Sequence, residues 1–485
     1  MIISDIHKRH DLSQDHTALN YHDSMVSYAG MENSIEQYAR FFSARGLKKG
    51  ERVAIALPNC PEFVYSYLGI ARAGGVVLPL NLLQAPQELF FIIMDSGSRF
   101  FITNEAIGRQ ISNFPNLPLE IIILDEKTRE EIKAAPPAVF PEVESGDVCT
   151  FLYTSGTTGH PKAAMLTHDN LMGDVLAMDA ASRFGRDDNF LAVLPMFHSF
   201  GWTVCTLLPL YLGCRITILD NFMPKEMLQV LSEKGITVFC GVPSMFSVLL
   251  RLRQKSSFPD LKFAISGGDS ISEEIIRAFE NDFGIPIIEG YGLSEASPVV
   301  CLNPLYGVRK IKSIGIPLPG IEARVVDEKE RELPPGEVGE LVVRGPNVMK
   351  GYYNRDEETR EALKDGWLHT GDLACTDEDG YFYIAGRKKE LIISAGFNVY
   401  PREVEEALAL HPAVMEAAVV GVPHPLKGEE VKAYVVPREG ESPDKKDLTV
   451  FLKDKLANYK IPGEYVITNE LPRGAGGKVL KRLLT

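Results

Sequence analysis

Short apolar runs alternate with amphipathic stretches through the first two thirds of the chain. RVAIAL is followed by the helix-patterned PEFVYSYLGIARAG and then by GVVLPLN. The same rhythm returns in NFLAVLP, RITIL, a helix predicted from Pro224 to Lys234, TVFCGVP, and LKFAISGGD leading into a helix at 272–283. Runs that are apolar at nearly every position, not at alternate ones, belong to strands covered on both faces. The pattern therefore predicts an α/β protein with doubly wound, parallel sheets. IPIIEGYG then runs a strand into glycine, and in such sheets ligands collect at the carboxyl ends of the strands. From about 313 to 350 shorter segments (ARVVD, GELVVRG) with Pro and Gly turns predict a small antiparallel, β-barrel-like subdomain. A third texture begins near Gly386: LIISAG, a helix from Pro401 to Leu410, AAVVGVP, VKAYVVP and a helix at 444–457. These read as a small separate α+β domain of about one hundred residues.

Length agrees with this division, because 485 residues exceed what one hydrophobic core organises. With 45% hydrophobic and 24% charged residues the composition is that of an ordinary globular protein, without low-complexity tracts or repeats. A formal charge of -14 argues against a nucleic-acid surface. That charge is uneven: residues 386–485 hold 16 basic against 14 acidic side chains, and after Glu470 the charges are all positive. Such a tail suits an anionic small molecule. Seven scattered cysteines, odd in number and without CxxC spacing, predict reduced thiols and a cytoplasmic setting. The start MIISDIHKRHDLSQDH is too polar for a signal peptide, and no run of 18 apolar residues exists. The uncharged stretch Asn189 to Cys214 is broken by Pro195, His198, Gly201 and Pro209. It reads as buried core beside a pocket.

The decapeptide YTSGTTGHPK, Tyr153 to Lys162, adds chemistry to this frame. Gly156 and Gly159 let backbone amides approach an anion, Thr154, Ser155, Thr157 and Thr158 donate hydroxyls, and Lys162 supplies a point charge. It is not a Walker A loop, because Lys162 is followed by Ala163 and the glycine spacing differs. Alone, the segment is a phosphate loop or a polar hairpin turn, and Gly, Ser and Thr serve both.

Its companions along the chain decide between these. In order come PMFHSFGW (195–202), SGGDSI (266–271), EGYGLSE (289–295), WLHTGD (367–372), GRKKELIISAGFNVYPREVE (386–405) and PRGAGGKVLKR (472–482). Order and spacing over essentially the whole chain resemble the adenylate-forming superfamily of acyl-CoA synthetases, firefly luciferase and peptide-synthetase adenylation domains. Within it the chain looks like a fatty acyl-CoA synthetase. The resemblance implies an N-terminal AMP-binding domain over 1–385, a hinge at 386–389 and a mobile C-terminal lid over 390–485. It implies that ATP adenylates a carboxylic acid, medium- or long-chain, and that the acyl group then passes to CoA. AMP and pyrophosphate are released, with Mg²⁺ as the metal.

A carboxylate attacking the α-phosphorus of ATP needs charge screening, because both reactants are anions. The resemblance makes the YTSGTTGHPK loop the clamp for the β- and γ-phosphates and Glu295 the Mg²⁺ ligand, with Thr154 a second metal candidate. Tyr291 is expected to lie against adenine, with Gly267 and Gly268 on its other face. The backbone of Glu289, Gly290 and Gly292 shapes the same site, and Ser294 keeps the hydroxyl where the family has threonine. Asp372 is expected to accept the ribose hydroxyls and Arg387 to reach the ribose and phosphate. Lys478, on a glycine-rich loop, matches the lysine that bridges the substrate carboxylate and the α-phosphate. Lys389 matches the hinge and Gly396 the glycine past which the pantetheine arm runs. His198 matches the position at the junction of acyl and CoA sites. It is assigned to substrate positioning, because a carboxylate ionised at neutral pH needs no base. Trp202, Gly241, Val242, Phe246 and Pro298 are expected to line an apolar acyl pocket.

Two further readings stay open at this level. One is an adenylating ligase that loads a carrier-protein phosphopantetheine, and the other is a silent adenylate-binding sensor. Intact Glu295, Asp372 and Lys478 weigh against the sensor. The sequence leaves oligomeric state open, a homodimer included, and is compatible with peripheral membrane contact. Ahead of the final lysine the usual SGK is GGK, which removes a hydroxyl from the lid loop.

Overall fold

The computed structural model describes residues 1–9, 16–114, 117–155, 161–252, 257–473 and 479–484, with Ser155 described in its backbone alone. The chain forms two compact units, one of Met1–Ala323 with Val343–Leu368, the other of Arg324–Val342 with His369–Thr485. The protein is a mixed α/β structure with a large N-terminal and a small C-terminal domain.

Two sheets organise the first unit among the described residues. In the larger, six neighbouring strands run parallel in the order Ile287–Gly292, Phe263–Ser266, Val238–Gly241, Asn189–Ala192, Arg215–Ile218, Thr17–Tyr21. In the other, Val148–Ser155, Val76–Pro79, Arg52–Ala56, Phe100–Thr103 and Glu120–Ile123 are parallel neighbours. Val76–Pro79, Phe100–Thr103, Asn189–Ala192 and Val238–Gly241 are buried at every position, and Arg52–Ala56 at all but Arg52, as their unbroken apolar runs require. The structure departs from an all-parallel expectation at the edges. Val148–Ser155 turns back into Pro161–Thr167, Ile287–Gly292 into Val299–Leu302, and Thr17–Tyr21 into Ser24–Ser27, all antiparallel. Each of these returns crosses only a few residues, too few for the crossover that a parallel neighbour needs.

The helices behave as their ends predict. Ser272 caps Glu273–Phe283 by accepting from the Ile275 amide, and proline opens Pro61–Arg72 and Pro224–Glu233. Asn59, buried after Arg52–Ala56, donates to the carbonyls of Leu194 (3.0 Å) and Leu219 (3.1 Å) and accepts from the Met196 amide (2.8 Å). One fully used amide thus stitches the carboxyl ends of strands from both sheets. The uncharged stretch 189–214 folds as a strand, a π-helix Phe200–Leu207 and a short helix Leu208–Leu212, nearly all buried. Among the described residues no helix is long and apolar enough to cross a membrane.

The second unit is built on Val414–His424 and Gly428–Pro437, antiparallel over their whole length, with Glu464–Ile467 added in parallel and Ile392–Ser394 and Phe397–Val399 as a short hairpin. Helices Pro401–Ala409 and Lys445–Lys453 cover it and bury Val404, Leu408, Leu448 and Leu452. All seven cysteines are free, six of them buried and Cys375 half-buried.

Candidate active site

In the first unit, the predicted residues gather at the carboxyl ends of parallel strands. Gly241 pairs with Ser266 and Ser266 with Glu289, so Val242 and Gly267, just past their strand ends, stand level with Gly290 on the neighbouring strand. Phe200 lies against Gly267, its ring 3.1 Å from where a Cβ would stand. Glu289 is buried, and Tyr291, half-buried, pairs with Cys301 across the antiparallel edge. Gly292 packs on the backbone of Pro298, which follows a cis bond from Ser297.

The register of Val148–Ser155 on Pro161–Thr167 sets Thr154 opposite Lys162. Thr154 Oγ1 donates to Glu295 Oε1 at 3.3 Å, so the loop residue and the distant acid predicted to share a metal do meet. Tyr352 was not foreseen. Its hydroxyl donates to the same Glu295 oxygen at 2.9 Å, and the Lys162 ammonium sits 3.7 Å from the centre of its ring. Burial and then Glu295 push the Tyr352 hydroxyl above its ordinary pKa, which keeps it a donor. Burial also draws the Lys162 ammonium below its usual value, against the opposing pull of Glu295, Glu358 and Glu361. Gly156, Thr157, Thr158 and Gly159, the rest of the loop, lie outside the described residues, as does Lys478.

Among the described residues no group of three His, Cys, Asp or Glu side chains forms a metal cage. One carboxylate beside hydroxyls is nevertheless the donor set that Mg²⁺ takes from a protein when phosphates and water complete its shell. The residues present fit that cation.

His198 is exposed, and its Nδ1 accepts from the Phe200 amide at 3.2 Å, which leaves Nε2 to carry the proton of a neutral ring. Trp202 is 3% exposed and stacked on Tyr67 at 3.9 Å between centroids, with Phe63 beside it. Phe246 is wholly buried between Phe239 and Phe279 and helps form an aromatic core under the strand ends.

In the second unit, Asp372 and Arg387 face each other across paired strands, Oδ1 to Nε 3.3 Å, with Asp372 7% exposed. Glu340 organises this turn, and nothing in the sequence pattern singled it out. Its Oε1 accepts from the Gly371 amide (3.2 Å), while Oε2 takes the Lys388 ammonium (2.8 Å) and lies 3.2 Å from His369 Nδ1. Lys388 and His369 outweigh burial and hold the Glu340 carboxyl below its ordinary range. Lys389 is exposed in the single turn Lys388–Glu390. Gly396 has φ +81°, a left-handed conformation that itself calls for glycine, and no atom of the described structure lies within 4 Å of its Cβ direction.

Comparison with known proteins bears on this arrangement. Residues 7–353 match the AMP-binding enzyme family and 403–478 its C-terminal domain. A long-chain-fatty-acid–CoA ligase of Bacillus subtilis (strain 168) is 36% identical over 512 residues, covering 97% of this chain and 91% of the relative. A feruloyl-CoA synthase of Amycolatopsis sp is 35% identical, covering 98% and 96%. The crystal structure of ATP-bound MatB from Rhodopseudomonas palustris superposes with a TM-score of 0.92 at 34% identity, over all of this chain and 98% of that one. The two named enzymes join different acids to CoA, and ATP, Mg²⁺ and CoA are the cofactors of their class. With the family matched over most of the chain and the relatives named CoA ligases, the chain belongs to the AMP-binding enzyme family and is an ATP-dependent, AMP-forming acid–thiol ligase of the acyl-CoA synthetase kind.

Proposed function

We propose that the acid is a medium- or long-chain fatty acid, adenylated by ATP and then transferred to free CoA. The observation that carries this reading is the uncharged stretch Asn189–Cys214. It follows one strand end, forms the buried π-helix with Trp202, and offers no cation to a second acidic group and no carboxylate to an ammonium. The name of the Bacillus subtilis relative agrees with it. In this reading Lys162 and the hydroxyls of the loop bind the leaving pyrophosphate. Glu295 and Thr154 would hold Mg²⁺, which when bound offsets phosphate charge. Tyr291 orients adenine, and Asp372 with Arg387 orients the ribose. Lys478 steadies the carboxylate against the α-phosphate. Lys389 serves as the pivot and Gly396 gives the pantetheine passage, with residues 1–385 and 390–485 as the two functional domains.

The test is a panel of carboxylic acids graded by chain length and ring content, assayed for AMP release with CoA present and absent. AMP release that depends on CoA and rises with saturated chain length into the medium- or long-chain range is the expected result, each buried CH₂ adding about 0.8 kcal/mol. A maximum at feruloyl or benzoyl acids would refute the fatty-acid assignment. Release unaffected by CoA but stimulated by a phosphopantetheine carrier would point to carrier loading.

A further inference from the structure

Glu295 is held through its backbone as well as its carboxylate. The Met349 amide donates to its carbonyl at 2.8 Å. Two side chains with at most trace exposure hold the residues that follow. Asn347 Nδ2 donates to the carbonyls of Ala296 (2.8 Å) and Val299 (2.9 Å), and Asp174 Oδ1 accepts from the Val299 amide (2.9 Å). Asp174 comes from the helix His168–Ala181, whose Asn170 also donates to the carbonyls of Pro346 (2.8 Å) and Val348 (2.7 Å). Three segments distant in sequence are laced together directly behind Glu295.

The chemical state of the lacing follows from its unpaired atoms. Both N–H bonds of Asn347 go to carbonyls, so its amide orientation is fixed and Oδ1 can only accept. Asn347 Oδ1 and Asp174 Oδ2 are both buried oxygens without a hydrogen-bond donor, and the two side chains hold the same residue, Asn347 at the Val299 carbonyl and Asp174 at the Val299 amide. An ionised Asp174 would place a charge and two bare acceptors in a dry site. A single proton on Oδ2 satisfies both oxygens. The other groups acting on this carboxyl among the described residues, the Val299 amide and the Asn347 carboxamide, pull it down, but neither carries a charge and burial outweighs both. Burial accordingly drives the carboxyl well above its ordinary range.

We propose that Asp174 is a positioning residue that keeps its proton at neutral pH, donating it to Asn347 Oδ1, and that this acid–amide pair fixes the backbone from which Glu295 meets Thr154 and Tyr352. The positioning half rests on Glu295 being the cation-holding acid proposed above. The proton half does not.

Two measurements on the full-length protein test the two halves. Above about pH 4 the unfolded chain releases a proton that the native state retains, so this site costs stability as pH rises. Asp174→Asn puts an N–H where the O–H stood and has no proton to lose. It is expected to melt above the parent at about pH 8, with the gap narrowing toward pH 5. In calorimetric ATP binding with and without Mg²⁺, Asp174→Asn is expected to keep the parental gain from Mg²⁺. Asp174→Ala and Asn347→Ala are expected to lose about tenfold of that gain, the scale of one lost hydrogen bond of this kind, while metal-free ATP binding is unchanged. If Asp174→Ala does not fold, Asn347→Ala and Asp174→Ser carry this arm. An Asp174→Asn protein that melts below the parent at high pH overturns the proton, and Ala variants with the parental Mg²⁺ gain overturn the positioning. A parent with no Mg²⁺ gain overturns the reading of Glu295 and the positioning with it, and the melting arm still decides the proton.

Discussion

Replacing Glu340 by alanine removes one carboxylate from three partners, and the cost divides unevenly among them. The Gly371 amide loses a charged acceptor in a site where the Glu340 side chain is 12% exposed, worth about 1.5–3 kcal/mol. The Lys388 ammonium is more than half exposed, so its pairing adds only about 0–1 kcal/mol. The turn Thr370–Asp372 therefore loses about 1.5–4 kcal/mol of local stability, chiefly at the Gly371 amide. Opening of that turn becomes at least about tenfold more frequent, which hydrogen–deuterium exchange of the Gly371 amide reads directly. Glu340→Gln keeps an oxygen for that amide and loses only the charge, so its exchange is expected to rise by about fivefold. AMP affinity is expected to fall in the same order, because Asp372 rides on the turn. An alanine variant with parental exchange at Gly371, or a glutamine variant as open as the alanine one, would refute the assignment of the two oxygens.

Four other outcomes are expected. Lys478→Ala lowers acid-dependent ATP–pyrophosphate exchange by ~10²-fold, the loss typical of one transition-state contact. It leaves thioester formation from supplied acyl-adenylate intact, and equal loss of both half-reactions would remove Lys478 from its role. Gly396→Leu, forced to hold φ +81° at a cost of about 1–2 kcal/mol, keeps pyrophosphate exchange and abolishes CoA acylation. Loss of exchange as well would count against a passage there. Tyr352→Phe keeps the ring under Lys162 but removes a donor from Glu295, so the Mg²⁺ concentration for half-maximal exchange rises by about tenfold, and an unchanged requirement would make that hydrogen bond incidental. Glu32 is held down to about 2, because His7, Arg72 and Lys8 outweigh its burial. Its contribution to stability is full above its unfolded value of 4.5 and lost as pH falls toward 2, so Glu32→Gln melts below the parent at neutral pH and converges with it in acid, as melting curves across that window can show.

The apolar runs made the strands legible because a strand buried on both faces leaves no polar positions to confuse with a helix. RVAIAL, RITIL and TVFCGVP all lie in parallel strands at or within a residue or so of their expected ends. Strand direction at the sheet edges was not legible, because the returns at Val299 and Pro161 depend on loop length and register, not on hydrophobic period. Glu295 and Thr154 could be paired from sequence because motif order carried them together. Tyr352 and Glu340 could not, since each is a lone polar residue whose partner lies 57 and 31 positions away. Asp174 did leave a mark, an acid inside LMGDVLAM, an otherwise apolar stretch of its helix that is buried except at Leu176. An acid that survives in such a setting has a structural duty, even when the sequence does not say to whom.

The seven unpaired thiols have a consequence for a protein that makes acyl-adenylates. An acyl-adenylate is an acylating agent that reacts with any thiolate it meets, and the thiol it is meant for belongs to CoA. Burial lifts Cys60 and Cys149 to about 12, and Cys214 and Cys301 higher still. At neutral pH those buried side chains are present as protonated thiols. The fold thereby protects the protein from acylating itself, and leaves the incoming cofactor without an internal competitor from these four positions.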